Sequence, residues 1–395
     1  MVEAGRRGED IRSDCWVALE LKETGGLDID IQSKVASMYG DAIEKQCRQI
    51  LSFYSIENAE LKMIDLGALP FVISARVETA IRRATPDIRK PYLPEMRPEC
   101  LAESSRNRFR RSRLYLPGNE PKFMINAGIH KPDAVILDLE DSVAPGEKDA
   151  ARILVRNALR RVDFYGAERM VRINQMPEGL EDLKYLIGQN VNLILIPKCE
   201  TREQVKEIDN AIGEFSQERQ KREQIFLMPI IETAFGVENA FEIAKASPNI
   251  VALTMGLEDY TADLGTVKTK KGSETLWARC RIVNAARAAK LQPIDSVYSD
   301  VADEEGLMAS VKEARSLGYE GKGCIHPRQI RMIHQGFMPS APEVEKAKRI
   351  MSAWEAAQEK GSGVCVVGTK MIDPPVVKRA ERILQLVEMD RGKNE

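Results

Sequence analysis

The chain predicts an α/β protein, a (β/α)8 TIM barrel with a C-terminal helical extension, preceded by a small α+β carrier-like domain. Eight short apolar runs lie between Ser112 and Pro327, most of them separated by segments of helical character. Strands buried on both faces read as such runs, and eight is the count of a closed parallel barrel. The runs end in polar or charged residues, as strands do when they deliver side chains to a barrel mouth. Residues 1–88 instead mix alternating runs with helix-period segments, the pattern of a small α+β unit. An open doubly wound sheet is the alternative for the eight-run region.

In chain order, 15–21 and 27–31 alternate as strands, 41–54 repeats apolar residues at helical spacing, 60–64 is a third strand and 71–83 a second helix. Four prolines between Thr85 and Pro98, with little periodicity, make 89–107 a linker. The barrel, 108–340, takes its strands from 113–116, 134–138, 170–173, 193–196, 225–228, 250–255, 293–297 and 323–326, with helices at 204–212 and 237–246 among the connections. The extension, 341–395, holds helices at 342–360 and 375–388, joined by a glycine-rich turn and Lys370-Met-Ile-Asp373.

Composition narrows the function classes. With 395 residues the chain exceeds one ordinary domain. Its 58 basic and 60 acidic side chains leave a net charge of −2, without the basic excess that a nucleic-acid surface needs. The seven cysteines are scattered, with no Cys-x-x-Cys and no cysteine–histidine spacing for zinc, which implies a reducing, cytoplasmic setting. The first ten residues lack an apolar signal core, and no stretch approaches the roughly 18 apolar residues of a membrane span.

Side chains at the carboxyl ends of barrel strands converge on one mouth. This places Tyr115, the acidic group Asp138, Glu140 and Asp141, then Arg172, Lys198, Glu232, Asp259, Asp300 and His326 around a common space. Glu232 and Asp259 are lone carboxylates from different strands, with no histidine or cysteine beside them. That donor set suits Mg2+, whose remaining positions would take water and a bidentate hydroxy or keto acid; the plainer reading of either acid is a salt bridge or helix cap. Arg172 offers a planar fork for a carboxylate, or an ion pair with the nearby acids. Tyr115 and Lys122 flank Pro117-Gly-Asn-Glu-Pro, a tight loop able to hold a phosphate or pantetheine arm, or an ordinary turn. His326 precedes a proline at a strand end as a hydrogen-bonding wall; His130 and His334 read as surface or core histidines.

Together these residues resemble a known family. Arg111-Ser-Arg-Leu-Tyr-Leu-Pro-Gly, Leu137-Asp-Leu-Glu-Asp-Ser-Val-Ala, Val171-Arg-Ile-Asn, Ile231-Glu-Thr-Ala-Phe-Gly-Val, Gly256-Leu-Glu-Asp-Tyr, Asp295-Ser-Val-Tyr-Ser-Asp, Ile325-His-Pro-Arg-Gln-Ile and Lys370-Met-Ile-Asp make residues 108–388 similar to the citrate lyase beta subunit, in the group with malyl-CoA and citramalyl-CoA lyases. The resemblance implies Glu232 and Asp259 as magnesium ligands and Arg172 as the arginine that orients the acyl substrate. It implies Arg111, Tyr115, Lys122, Ile325 and His326 as contacts to substrate or thioester carrier, and Asp373 as a catalytic aspartate supplied by a neighbouring subunit of a homo-oligomer; Glu140 and Asp141 are the candidates for orienting water or metal, or for supporting the residues that do. The expected reaction is magnesium-dependent cleavage of a citryl-type thioester to oxaloacetate and an acetyl thioester. Malyl-CoA or citramalyl-CoA lyase action on free CoA esters is the alternative, and a non-catalytic carrier-fused assembly protein is the alternative from another class.

Residues 1–88 resemble the citrate lyase acyl carrier (gamma) subunit through Leu27-Asp-Ile-Asp-Ile, Val35, Tyr39-Gly-Asp-Ala-Ile, Asp65-Leu-Gly-Ala-Leu and Ala75-Arg-Val-Glu, which also makes other citrate lyase subunits candidate partners. In that family a phosphoribosyl-dephospho-CoA arm is carried by the first serine of a Ser-Ser-Asp or Ser-Gly-Asp run. This chain reads Arg12-Ser13-Asp14. Either the arm sits on Ser13, or the domain has lost it and docks, assembles or regulates; the expectation taken is an unmodified chain that accepts soluble acyl-CoA.

Overall fold

The computed structural model describes residues 1–219, 224–359, 361 and 363–391. They form two compact units, 1–330 and 331–395.

The first unit opens with a four-stranded sheet in the order β1-β2-β4-β3: β1 (Val2–Gly5), β2 (Cys15–Leu21), β3 (Leu27–Ser33) and β4 (Ala59–Asp65). β1 and β4 flank β2 antiparallel, and β3 runs parallel to β4. Val17, Leu19, Leu61 and Met63 turn to one face, where they meet Ile43, Cys47, Ile50 and Leu51 of α1 (Ala36–Phe53). Those four recur at helical spacing, so α1 buries one stripe and exposes the rest. β1 escapes the sequence pattern because only Ala4 is buried in this short edge strand.

Helix α2 (Pro70–Ala84) begins with proline, whose missing N–H costs nothing in a first turn. It is buried on every side from Phe71 to Ile81, because one face covers the sheet and another packs on α4 (Lys148–Arg161), a barrel helix. Across that contact Glu78, wholly buried, accepts two bonds from Arg156 at 3.0 and 2.6 Å, and Asn157 donates to Ser74 and to the Phe71 carbonyl. At the edge Arg83 pairs with Asp149 at 2.7 Å. Residues 89–107 run along the barrel, held by Arg160 on the Pro94 carbonyl, Arg156 on that of Tyr92 and Arg106 on that of Ile250. Glu78→Ala is therefore expected to cost about 3–5 kcal/mol, since it strands buried Arg156 without its anion. Thermal unfolding checks this; a loss below about 1 kcal/mol, the range of an exposed pair, would contradict it.

The barrel closes through eight parallel strands: β5 (Ser112–Pro117), β6 (Ala134–Asp138), β7 (Glu168–Arg172), β8 (Leu193–Ile196), β9 (Phe226–Ile231), β10 (Ala252–Met255), β11 (Gln292–Asp295) and β12 (Gly321–Cys324). The expected (β/α)8 architecture is thus borne out, and the open sheet is excluded because β12 pairs with β5. Ile136, Met170, Leu195, Met228, Ile230 and Ile294 fill the interior. Around the strands, besides α4, lie α3 (Pro121–Ile125), α5 (Glu178–Leu186), α6 (Arg202–Glu218), α7 (Ala234–Glu238), α8 (Ala240–Ala244), α9 (Leu257–Asp263), α10 (Leu276–Ala288) and α11 (Glu304–Leu317); α12 (Pro327–Phe337) follows β12 and crosses the boundary between the units. The single helix expected at 237–246 is two, broken at Asn239, the C-cap of α7 and N-cap of α8. β11 and β12 stop at Asp295 and Cys324, so Val297, Ile325 and His326 belong to the loops of the mouth.

The second unit packs α13 (Ala341–Glu359) against α14 (Pro374–Arg391) over Ala347, Ile350, Val377 and Ala380. Between them β13 (Cys365–Val367) and β14 (Lys370–Ile372) form a hairpin where the sequence suggested a turn. Lys360, the expected end of the first helix, lies outside the described residues. No described helix is long and apolar enough to cross a membrane.

Candidate active site

A cavity of about 430 Å3 opens at the carboxyl ends of the barrel strands, and Tyr115, Asp138, Arg172, Glu232, Asp259 and Ile325 border it. Glu232 follows β9 directly. It is 3 % exposed, Oε1 accepts the Lys198 N–H at 2.7 Å, and among the described residues no cation pairs with it. Burial pushes its carboxyl up to about 8; the Lys198 N–H opposes this, while the charges of Asp259 and Glu140 add to it. Gly256 makes the room. A Cβ there would stand 2.4 Å from Glu232 Oε2 and 2.7 Å from its Cβ, so the glycine opening Gly256-Leu-Glu-Asp is a steric requirement.

Asp259 lies in the first turn of α9, partly exposed, with Lys198 Nζ 3.7 Å from Oδ1. Two carboxylates meet here, one of them buried without a counter-charge, and both are hard oxygen donors. A divalent cation with oxygen preference fits that deficit. No group of three or more histidine, cysteine or acidic side chains suited to a metal occurs among the described residues, so a cation here takes its other ligands from water or substrate.

Arg172 ends β7. Nε and Nη2 bond the two oxygens of Asp138 at 2.7 and 2.8 Å, and Nη1 lies 2.6 Å from Glu140 Oε2, outside hydrogen-bonding alignment, and 3.1 Å from Asp141 Oδ2. Its guanidinium also stands 5.5 Å from the Tyr115 ring centroid. Burial works against the charge of Arg172, but Asp138 more than restores it. Burial likewise opposes ionisation of Asp138, yet the bond from Arg172 holds its carboxyl below the ordinary range. Glu140 is pushed up, by burial first and by the neighbouring Asp141 in part, against the pull of Arg172. The ion pair considered for Arg172 is therefore formed, with the fork held rigid beside the cavity.

Other expected residues sit elsewhere. Arg111 precedes β5 at the opposite end of the barrel, its guanidinium engaged by Asp133 at 2.9 Å; the strand that carries Tyr115 to the mouth points Arg111 away from it. Lys122 lies on α3, 3.6 Å from Glu120. His326 Nδ1 accepts the Arg328 N–H at 3.1 Å, a helix-capping contact at the start of α12. Asp300 accepts the N–H groups of Ala302 and Asp303 in an exposed turn. Asp373 belongs to the second unit, where Oδ1 and the main-chain carbonyl accept N–H bonds from the first turn of α14. Ser13 adopts φ 57° and donates its N–H to Leu66, and Asp14 beside it pairs with buried Arg76 at 2.8 Å. The sequence reading passed over Arg113, which borders the cavity from β5. A charged residue at the same parity as Tyr115 in an inward-facing strand was the signal for it.

Fold and site define an α/β-barrel protein with an acid-lined mouth. The chain belongs to the HpcH/HpaI aldolase/citrate lyase family, whose model matches residues 111–327. Residues 8–84 match the model of the malonate decarboxylase delta subunit (MdcD). Citrate lyase subunit beta of Haemophilus influenzae is 38 % identical over 281 residues, 70 % of this chain and 97 % of that one. The mitochondrial citramalyl-CoA lyase of Mus musculus is 33 % identical over 289 residues, 70 % and 86 % of the two chains. Among solved structures, the protein CitE of Mycobacterium tuberculosis in complex with magnesium, acetoacetate and coenzyme A superimposes with a TM-score of 0.59 at 29 % identity, covering 71 % of this chain and 99 % of that one.

Proposed function

We propose that the chain is a magnesium-dependent carbon–carbon lyase that cleaves a citryl-type acyl thioester to oxaloacetate and an acetyl thioester. The observation that carries this reading is Glu232, a buried carboxylate without a counter-cation, facing Asp259 across a cavity of substrate size. Glu232 and Asp259 would hold Mg2+, which when bound supplies a Lewis acid for the hydroxyl and adjacent carboxylate of the substrate. Arg172, kept rigid by Asp138, orients the acyl substrate, and Tyr115 and Ile325 wall the cavity. The hydroxyl gives up its proton to a water that Glu140 orients, as the bond from the carbinol carbon to the thioester α-carbon breaks. Its electrons pass to the acetyl thioester as an enolate, and Asp373 of a neighbouring copy in a homo-oligomer returns a proton to that carbon. Glu140, whose proton affinity burial raises, orients water or cation beside Arg172. Lys122 and His326, which stand outside the cavity lining, would meet the thioester arm beyond it.

On this reading the chain divides into a carrier-like domain (1–88), a connector (89–107), a lyase barrel (108–340) and an extension (341–395) that brings Asp373, in a reducing, cytoplasmic setting. A swinging-arm carrier has to leave its dock between loading and reaction. Here buried Arg156–Glu78, the enclosed α2 and the pinned connector tie the domain to the barrel. These contacts favour a fixed domain and soluble acyl-CoA as substrate.

The test is the intact mass of the chain purified from its native host, then incubation with Mg2+ and citryl-, malyl- and citramalyl-CoA. Unmodified mass and cleavage to a keto acid are expected. A covalent pantetheine arm on Ser13 would return the chain to the self-loading scheme, and the absence of cleavage of any of the three would end the lyase reading.

A further inference from the structure

Arg113 is a cation buried in the barrel without an anion. It lies two residues before Tyr115 on β5, so both side chains face the interior, and it is 1 % exposed. Nη2 donates to Thr254 Oγ1 at 2.8 Å, Nη1 approaches Met228 Sδ at 3.0 Å, and Nε has no partner. No carboxylate of the described residues pairs with it. Asp295 presents only its main-chain carbonyl, at 3.5 Å, because its carboxylate is engaged by Lys322 at 2.7 Å and Arg279 at 3.2 Å. An unneutralised guanidinium in such a place is costly, and methionine or leucine could lie beside Met228 without that cost. Arg113 borders the mouth cavity, so the missing anion has a place to come from.

We propose that Arg113 binds the distal carboxylate of the substrate and so selects a thioester that releases a dicarboxylic oxo acid over one that releases a monocarboxylic oxo acid. The inference rests on the lyase reading and names its substrate class. Citryl thioesters differ from citramalyl and malyl thioesters by a carboxymethyl group on the carbinol carbon, where the others carry methyl or hydrogen. That second carboxylate needs a cation in an otherwise apolar interior. Arg172 has its fork filled by Asp138, with Glu140 and Asp141 on the remaining nitrogen. Arg113 keeps one donor unused.

The experiment compares the full chain with Arg113→Met and Arg113→Lys, each first shown to be folded by thermal unfolding. The ratio of kcat/KM for citryl-CoA to that for citramalyl-CoA should fall about 10–100-fold in Arg113→Met, the worth of a charge-assisted bond, with partial retention in Arg113→Lys. Calorimetry with oxaloacetate and pyruvate as probes should show the preference for oxaloacetate lost in Arg113→Met to a similar degree. A ratio and a binding preference that both survive the methionine variant would overturn the inference. If the parent chain cleaves neither ester, the lyase reading fails by itself, and the two keto acids still decide the role of Arg113.

Discussion

Glu232→Ala is expected to lower turnover about a thousandfold or more while leaving the barrel folded. The loss follows from the charge that a divalent cation supplies to the developing alkoxide, worth several kcal/mol at 1.36 kcal/mol per tenfold. Folding should survive because the buried carboxylate makes one bond, from the Lys198 N–H, and is otherwise an uncompensated charge in a site shaped by Gly256. Asp259→Ala should cause a similar loss of activity, with a smaller effect on stability from this partly exposed position. Activity with the citryl ester and circular dichroism check both. Turnover that persists in either variant, or in the parent chain with a strong chelator, would remove the two acids from their assigned role.

The second large effect concerns Asp373. On the proposed division of labour it protonates the enolate in a neighbour's barrel, so Asp373→Ala and Arg172→Ala chains should each be nearly inactive alone. Mixed and allowed to exchange subunits, they should regain activity, up to about a quarter of the parental level for pairwise exchange, because half the mixed pairs' sites carry neither defect. Exchange is followed with differently tagged chains. If mixed oligomers form and stay inactive, Asp373 serves its own chain or has no part in the chemistry.

Much of the site was legible in the residues because the features that mark it are local. Glu232 and Asp259 stand just past apolar runs, and a parallel barrel brings such ends to one mouth. Gly256 could be read as part of a motif, but its reason could not, since the clash it avoids is with a side chain 24 residues earlier that only the β9–β10 pairing brings alongside. Arg172 shows the limit of residue type. Its fork suited a substrate carboxylate or a neighbouring acid, and the spacing to Asp138 across β6 and β7 settled that it is held by the protein first.

Sequence alone determined the barrel, the α+β unit before it and the two acids of the mouth, because both-faces burial, alternation and helical spacing are properties of consecutive residues. Tertiary structure decided which charges meet. Arg111 and Arg113 stand two residues apart with the same parity, yet Arg111, just ahead of β5, is paired with Asp133, while Arg113, inside the strand and one step nearer the mouth, borders the cavity without an anion. Glu78 and Arg156 are 78 positions apart and become a buried pair only when α2 lies on α4. Periodicity records which side of an element is buried. It does not record which element arrives to bury it, and a buried charge takes its meaning from that neighbour.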